Sequence, residues 1–344
     1  MQAMVLHELQ TLDADAAPLQ METLPDPTPG PDEVLLQVMV CGVCHTEMDE
    51  IEGRTPPPHL PVVLGHQVVG RVIACGDDVT ARRVGDRVGV AWIFAACGEC
   101  VFCRRGEENL CPYFRATGRD ANGGYAEQMV VPAAFTYPIP DALDDAHAAP
   151  LLCAGAIGYR SLRLTGLEDG QPLGLTGFGA SAHLVLKLVR ARFPQSPVCV
   201  FARNPDERAF ARELGAVWAG DTADRAPMAL AGIIDTTPAW KPVVEALANL
   251  APGGRLVINA IRKEAGDQDE LLRLDYATHL WLEKEIKSVA NVTRRDVSEF
   301  LELAAAAGIA PTVQEYPLEE ANRALTDMKT GGGRGAKVLR VRTS

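Results

Sequence analysis

The run Pro172-Leu173-Gly174-Leu175-Thr176-Gly177-Phe178-Gly179-Ala180-Ser181-Ala182 decides the fold class. A short apolar strand signal leads into a G-x-G-x-x-A pattern, which opens a helical stretch. The glycines permit a tight turn and close approach of a pyrophosphate, and the helix N-terminus presents amides to it. Alone the pattern is weak. Between a strand and a helix it marks a dinucleotide site at Gly177, Phe178, Gly179, Ala180 and Ser181.

Downstream, short apolar runs alternate with helical stretches. The runs cover 172–176, 198–202, 232–236, 255–260 and 286–290; helices are predicted over 181–191 and 206–214. Such βαβ alternation implies a parallel, doubly wound α/β sheet of the Rossmann kind. The second helix carries its own punctuation. Asn204 caps it, Pro205 suits its first position, Asp206 and Glu207 suit its dipole, and Gly215 ends it.

Upstream the pattern differs. Residues 1–90 hold closely spaced strand signals at 33–40, 62–64, 68–73 and 84–90, which suggest a partly closed β-barrel. After them comes Cys97-Gly98-Glu99-Cys100-Val101-Phe102-Cys103, closed by Cys111. Four thiolates on one loop complete a tetrahedron around a single zinc ion and leave no position open to substrate. That spacing predicts a structural metal site, since four unrelated buried cysteines in so short a loop are improbable.

Composition narrows the function classes. A chain of 344 residues with 47% hydrophobic content is comfortable as two domains. A formal charge of −12 argues against nucleic acid, which needs a basic face. Thiolate ligands require a reducing compartment, a cytoplasmic pattern. Met1-Gln2-Ala3-Met4-Val5-Leu6 has no basic region followed by a long apolar run, so no signal peptide or membrane association is expected.

A second set of metal-binding residue types stands apart from the loop. Cys44 sits in Val43-Cys44-His45-Thr46, His66 in Gly65-His66-Gln67-Val68-Val69-Gly70, and Cys153 in Leu151-Leu152-Cys153-Ala154-Gly155. With the fingerprint and the tetracysteine loop in this order, the chain resembles the zinc-dependent alcohol dehydrogenases of the medium-chain dehydrogenase/reductase family, over nearly its whole length.

The resemblance implies a GroES-like catalytic domain over 1–153, a Rossmann nucleotide-binding domain over 154–289, and a return to the catalytic domain over 290–344. It implies two zinc ions per chain. Cys97, Cys100, Cys103 and Cys111 hold the structural one, and Cys44, His66 and Cys153 the catalytic one. Cys41, Cys75 and Cys199 are left to pack as small apolar residues. Thr46 becomes the hydroxyl that relays the alcohol proton, and His45 a contact to the cofactor pyrophosphate. Trp92 lines the substrate pocket and favours slim primary or flat aromatic alcohols and aldehydes. A homodimer or homotetramer is implied.

The chain departs from the family's pattern at several positions. The acidic residue that holds the ribose hydroxyls of NAD falls on Ala202, with Arg203 following, so NADP is expected, with NAD also admissible. Glu47 stands where an Asp orients the ligand imidazole, Gln67 where a Glu follows the ligand His, and Asp49 where a His ends the relay. The arginine that meets the phosphates from the last strand is replaced by Ala336, flanked by Arg334 and Lys337. Residues 296–307 read as an exposed helix, the first-turn carboxylates of Asp206 and Glu207 are expected to point largely to water, and residues 255–260 are a plausible strand for a two-fold contact. Two other functions remain open at this point: a medium-chain quinone or enone reductase, and a zinc-stapled redox sensor without catalysis.

Overall fold

The computed structural model describes residues 1–13, 15–330 and 335–342; Arg334 lies outside them. The chain forms two compact units, one of Met1–Ala156 with Val292–Ser344, the other of Ile157–Asn291.

The second unit is a six-stranded parallel sheet. Its order is Trp218–Gly220, Val198–Phe201, Leu173–Thr176, Leu230–Asp235, Leu250–Ile258, Glu285–Ser288. In chain order this reads 3-2-1-4-5-6, the doubly wound arrangement in which ligands bind where the order reverses. That switch point lies between Leu173–Thr176 and Leu230–Asp235. Val198–Phe201 is buried at every residue, as expected of a strand covered on both faces. Phe201, Ile233, Val243, Leu247 and Leu256 form part of the core on one side.

Helix Ala180–Arg192 buries Leu184, Val185, Leu188 and Val189. Helix Pro205–Glu213 begins as the sequence predicts: the Asn204 side chain accepts the Asp206 amide at 2.8 Å. It ends at Gly215, whose φ of +99° is the left-handed region that glycine tolerates. The last strand runs from Glu285 to Ser288 and not over 286–290, and all four residues are exposed at the sheet edge.

The first unit is built on strand Glu33–Val43. One of its edges pairs with Gln67–Cys75; the other pairs first with Gln128–Pro132, then with Ala336–Arg340. The C-terminal strand therefore completes the sheet that the N-terminal segment begins. Helix Arg294–Ala307, expected to be exposed, is not: Val297, Phe300, Leu301 and Ala304 are each at most 1% exposed. They recur at the three- and four-residue spacing of one helical face. Among the described residues, no helix is long and apolar enough to cross a membrane.

Candidate functional site

The tetracysteine loop folds around its own sulfurs. The Sγ atoms of Cys97, Cys100, Cys103 and Cys111 lie within 4.8 Å of one another. Backbone amides point at them: Cys97 N donates to Cys111 Sγ, Cys100 N to Cys97 Sγ, and Cys103 N to Cys100 Sγ, each at 3.4 Å. Amides of Glu99 and Cys100 hold the Cys97 thiol down at about 7, because such bonds favour the thiolate. Cys100 also caps the short helix Val101–Arg104.

The loop is tied down by an ion pair that sequence reasoning missed. The buried Glu108 Oε1 accepts from Arg294 N at 2.9 Å and Arg294 Nε at 3.0 Å. The partners are 186 positions apart, so no local pattern announces them.

The second cluster is gathered from three places. Cys44 follows strand Glu33–Val43 and stands at the N-cap of helix His45–Ile51. His66 follows Gly65, whose φ is +97° and where an added Cβ would lie 2.4 Å from the Tyr125 ring. Cys153 sits in the wide helical turn Leu151–Gly155. The three ligand atoms lie within 4.8 Å of one another. Cys44 Sγ is 3.9 Å from Cys153 Sγ, and His66 Nε2 is 3.2 Å from Cys153 Sγ.

The two thiols differ in character. A hydrogen bond from Cys153 is the main cause that holds Cys44 well below the ordinary thiol range; burial opposes it and His66 assists. Cys153 is pushed up by the same bond and by burial.

Behind the imidazole stands Glu47. His66 Nδ1 is 2.6 Å from Glu47 Oε1, with both side chains at most 1% exposed. The other carboxylate oxygen accepts the Cys44 amide at 2.8 Å. Glu47 therefore reaches the imidazole despite its longer arm, and leaves Nε2 facing the sulfurs. Burial works against a charged imidazole, yet Glu47 and Cys44 together raise His66 well above its usual value.

The other predicted residues lie around this cluster. Thr46 Oγ1 is 3.6 Å from Cys44 Sγ. His45 is exposed at the first position of its helix. Gln67 is buried over Gly42, where a Cβ would come within 2.8 Å of its side-chain oxygen. Asp49 is engaged by Arg54 Nε at 2.5 Å. Trp92 is half-buried and its ring lies 4.9 Å from that of Phe114, an aromatic partner the sequence reading did not single out. Also missed was Glu50, a buried carboxyl whose oxygens have no hydrogen-bond partner among the described residues. Burial, then the charge of Glu47, pushes it well up. Cys41 and Cys199 are fully buried, as expected of packing residues; Cys75 is half-buried.

In the second unit, Gly177 has φ +73°, and an added Cβ would lie 2.9 Å from Thr236 Oγ1. Glycine is required there for both reasons. Gly179 precedes helix Ala180–Arg192 and supplies no side-chain cap; the space over its Cα is open. The helix N-terminus thus keeps its amides for an anion. Phe178 is buried edge-on against Phe210, and Ser181 lies 3.3 Å from Asn259 Nδ2.

At the end of the second strand Ala202 is buried and Arg203 exposed. Arg208 secures this corner, donating to the carbonyls of Ala202 at 2.7 Å and Arg203 at 3.0 Å. Asp206 points to water, but Glu207 is half-buried. Burial raises the Glu207 pKa and the Arg203 charge partly offsets it.

The chain is similar to known proteins in sequence and fold. A family model described as "Alcohol dehydrogenase GroES-like domain" matches residues 30–141. The chain is 44% identical over 332 residues to a "Probable alcohol dehydrogenase AdhA" of Mycobacterium tuberculosis (strain CDC 1551 / Oshkosh), covering 95% of this chain and 94% of the relative. It is 32% identical to an "Alcohol dehydrogenase" of Geobacillus stearothermophilus, covering 90% and 92% of the two chains. Among solved structures, a cinnamyl alcohol dehydrogenase from Sorghum bicolor superposes with a TM-score of 0.85 at 27% identity, over 98% of this chain and 97% of that one. The chain belongs to the zinc-dependent alcohol dehydrogenases of the medium-chain dehydrogenase/reductase family.

Proposed function

We propose that the chain is a zinc-dependent alcohol dehydrogenase or aldehyde reductase that moves a hydride between NAD(P)(H) and a primary alcohol or aldehyde, aromatic ones included. The observation that carries this reading is the convergence of Cys44, His66 and Cys153, with Glu47 behind the imidazole. Two thiol sulfurs and one oriented imidazole suit zinc in both softness and number, and leave a fourth position for substrate.

When bound, zinc supplies Lewis-acid polarisation of the substrate oxygen and a nicotinamide cofactor supplies the hydride exchange. The protein's own contribution is orientation. Glu47 fixes the His66 tautomer, so that Nε2 keeps its lone pair toward the metal position. Thr46 Oγ1, beside Cys44, holds the alcohol proton. Asp49 is occupied by Arg54, so it does not extend the relay and the proton leaves to solvent. Trp92, braced by Phe114, favours slim or flat substrates.

We assign the unit of Met1–Ala156 and Val292–Ser344 as the catalytic domain and Ile157–Asn291 as the nucleotide-binding domain. Two zinc ions per chain are proposed, the second held by Cys97, Cys100, Cys103 and Cys111 as a closed structural site. NADP(H) is proposed over NAD(H), because Ala202 offers the ribose no carboxylate and Arg203 is exposed beside it. A homodimer or homotetramer is supported by the uncovered edge strand Glu285–Ser288 and by exposed Leu272, Tyr276 and Trp281 in the same unit. The thiol ligand sets suit the reducing cytoplasm.

Steady-state kinetics test the function. Zinc-loaded protein should reduce a panel of aldehydes with NADPH and oxidise the matching alcohols. Absence of turnover on every aldehyde and alcohol with either cofactor would refute it. The quinone-reductase and redox-sensor readings draw no support from these ligand sets.

A further inference from the structure

Within the second unit, a buried ion pair sits where the strand order reverses. Asp235 closes the fourth strand and is fully buried. Its Oδ1 accepts from Thr176 Oγ1 at 2.5 Å and from Thr237 Oγ1 at 2.8 Å. Its Oδ2 accepts from Lys263 Nζ, which also donates to the carbonyls of Thr237 at 2.8 Å and Ala239 at 2.9 Å. All three ammonium protons are thus placed, and the Lys263 side chain is only 9% exposed. No other charged side chain is needed to complete this knot.

The knot ties together three segments that meet at the switch point. Thr176 immediately precedes Gly177 of the fingerprint. Thr236 N and Oγ1 both donate to the Thr176 carbonyl, at 3.0 and 2.8 Å. Residues 236–239 form the loop after the fourth strand, and Lys263 reaches in from the loop after the fifth. An ion pair this deep contributes little net stability, because the desolvation of both charges offsets their attraction. Its effect is to fix geometry.

We propose that the Asp235–Lys263 pair is a positioning latch for the dinucleotide: it holds the 236–239 loop and the Gly177 turn at the spacing that a nicotinamide cofactor requires. This inference rests on the reading that the switch-point crevice binds NAD(P)(H). Neither residue is assigned contact with the reacting atoms; both act through Thr176, Thr236 and Thr237.

The test is direct cofactor binding, read by NADPH fluorescence titration, on the zinc-loaded full chain. Lys263→Met alone leaves a buried carboxylate unpaired and is at risk of misfolding. The double variant Asp235→Asn/Lys263→Met removes both charges and keeps an acceptor for Thr176 and Thr237. It should melt within a few degrees of wild type and keep its zinc. Its NADPH Kd should rise at least about tenfold, with the cofactor KM rising in parallel and kcat falling by less than about threefold. A purely structural role would lower the melting temperature and leave Kd unchanged. Gly179→Val, which fills the open space over the turn, serves as the control for the site itself. Loss of NADPH binding in Gly179→Val with an unchanged Kd in the folded double variant overturns the latch. Unchanged binding in Gly179→Val overturns the crevice reading on which the latch depends.

Discussion

His66 Nδ1 and Glu47 Oε1 lie 2.6 Å apart in a region closed to water. The same carboxylate takes the amide of Cys44, so one side chain sets the orientation of two of the three metal-ligand candidates. A carboxylate behind a ligand imidazole fixes its tautomer and raises its basicity. Glu47→Ala should therefore weaken zinc affinity at the Cys44–His66–Cys153 site about 10- to 100-fold. Chelator competition would show one weakened zinc and one unaltered zinc on the tetracysteine loop. Equal affinity in the variant would show that Glu47 does not orient the ligand.

Gln67 follows the ligand histidine without a charge, buried over Gly42. A negative charge introduced there would disfavour a second negative charge on an alcohol oxygen held beside Cys44, His66 and Cys153. Gln67→Glu should raise the apparent pKa that governs alcohol oxidation, by about one unit or more for a buried like charge. The pH dependence of kcat/KM for alcohol oxidation checks this, and an unmoved profile would contradict it.

Cofactor choice turns on Ala202 and Arg203. NADH forfeits a charge-assisted bond at Ala202, of about 1.5–3 kcal/mol. A 2′-phosphate gains the Arg203 fork but faces the half-buried Glu207, which already attracts Arg203. NADPH should be preferred in kcat/KM by at least about tenfold, or ~1.4 kcal/mol. Arg203→Ala should remove most of that margin and Ala202→Asp should reverse it. A tenfold preference of the wild type for NADH would leave Arg203 as a surface charge.

Asp267 caps helix Lys241–Leu247 from outside the helix, accepting the amides of Trp240 and Lys241 at 2.9 and 2.8 Å. Burial alone would raise its pKa, but the amides of Lys241 and Trp240, with its own amide and the Lys263 charge, outweigh it and hold the carboxyl below its ordinary value. A depressed carboxylate adds stability that is present above its unfolded pKa, about 3.9, and is lost as pH falls through the folded value. Asp267→Ala should thus cost about 1 kcal/mol between pH 5 and 7, a typical capping loss. The deficit should shrink below about pH 4 as the wild-type carboxyl protonates. Urea midpoints of the two proteins across this range measure it; a deficit independent of pH would contradict the assignment.

Local patterns carried a large share of this structure. The glycine fingerprint, the Asn204-Pro205 helix start and the tetracysteine spacing each depend on a few adjacent residues, so they are legible in one dimension. The pairing of Ala336–Arg340 with Glu33–Val43 was reachable only through family resemblance, because nothing local links the chain's two ends. The Glu108–Arg294 and Asp235–Lys263 pairs were not legible, since isolated charges have no period and their partners are distant in sequence. Helix Arg294–Ala307 was misjudged for another reason. Its charged first turn, Arg294-Arg295-Asp296, suggests a solvated helix, while Val297, Phe300, Leu301 and Ala304 form a buried stripe. Glu207 shows the same error at smaller scale: a first-turn carboxylate satisfies the dipole whether or not it reaches water.

The central claim is that this chain carries two zinc ions with separate roles, and zinc stoichiometry of purified Cys153→Ala beside wild type tests it most directly. Wild type should hold two zinc ions per chain. Cys153→Ala should stay folded, keep only the zinc of the Cys97–Cys111 loop, and lose alcohol oxidation. Wild type with one zinc or none, or a Cys153→Ala protein that keeps both zinc ions and full turnover, would contradict the account.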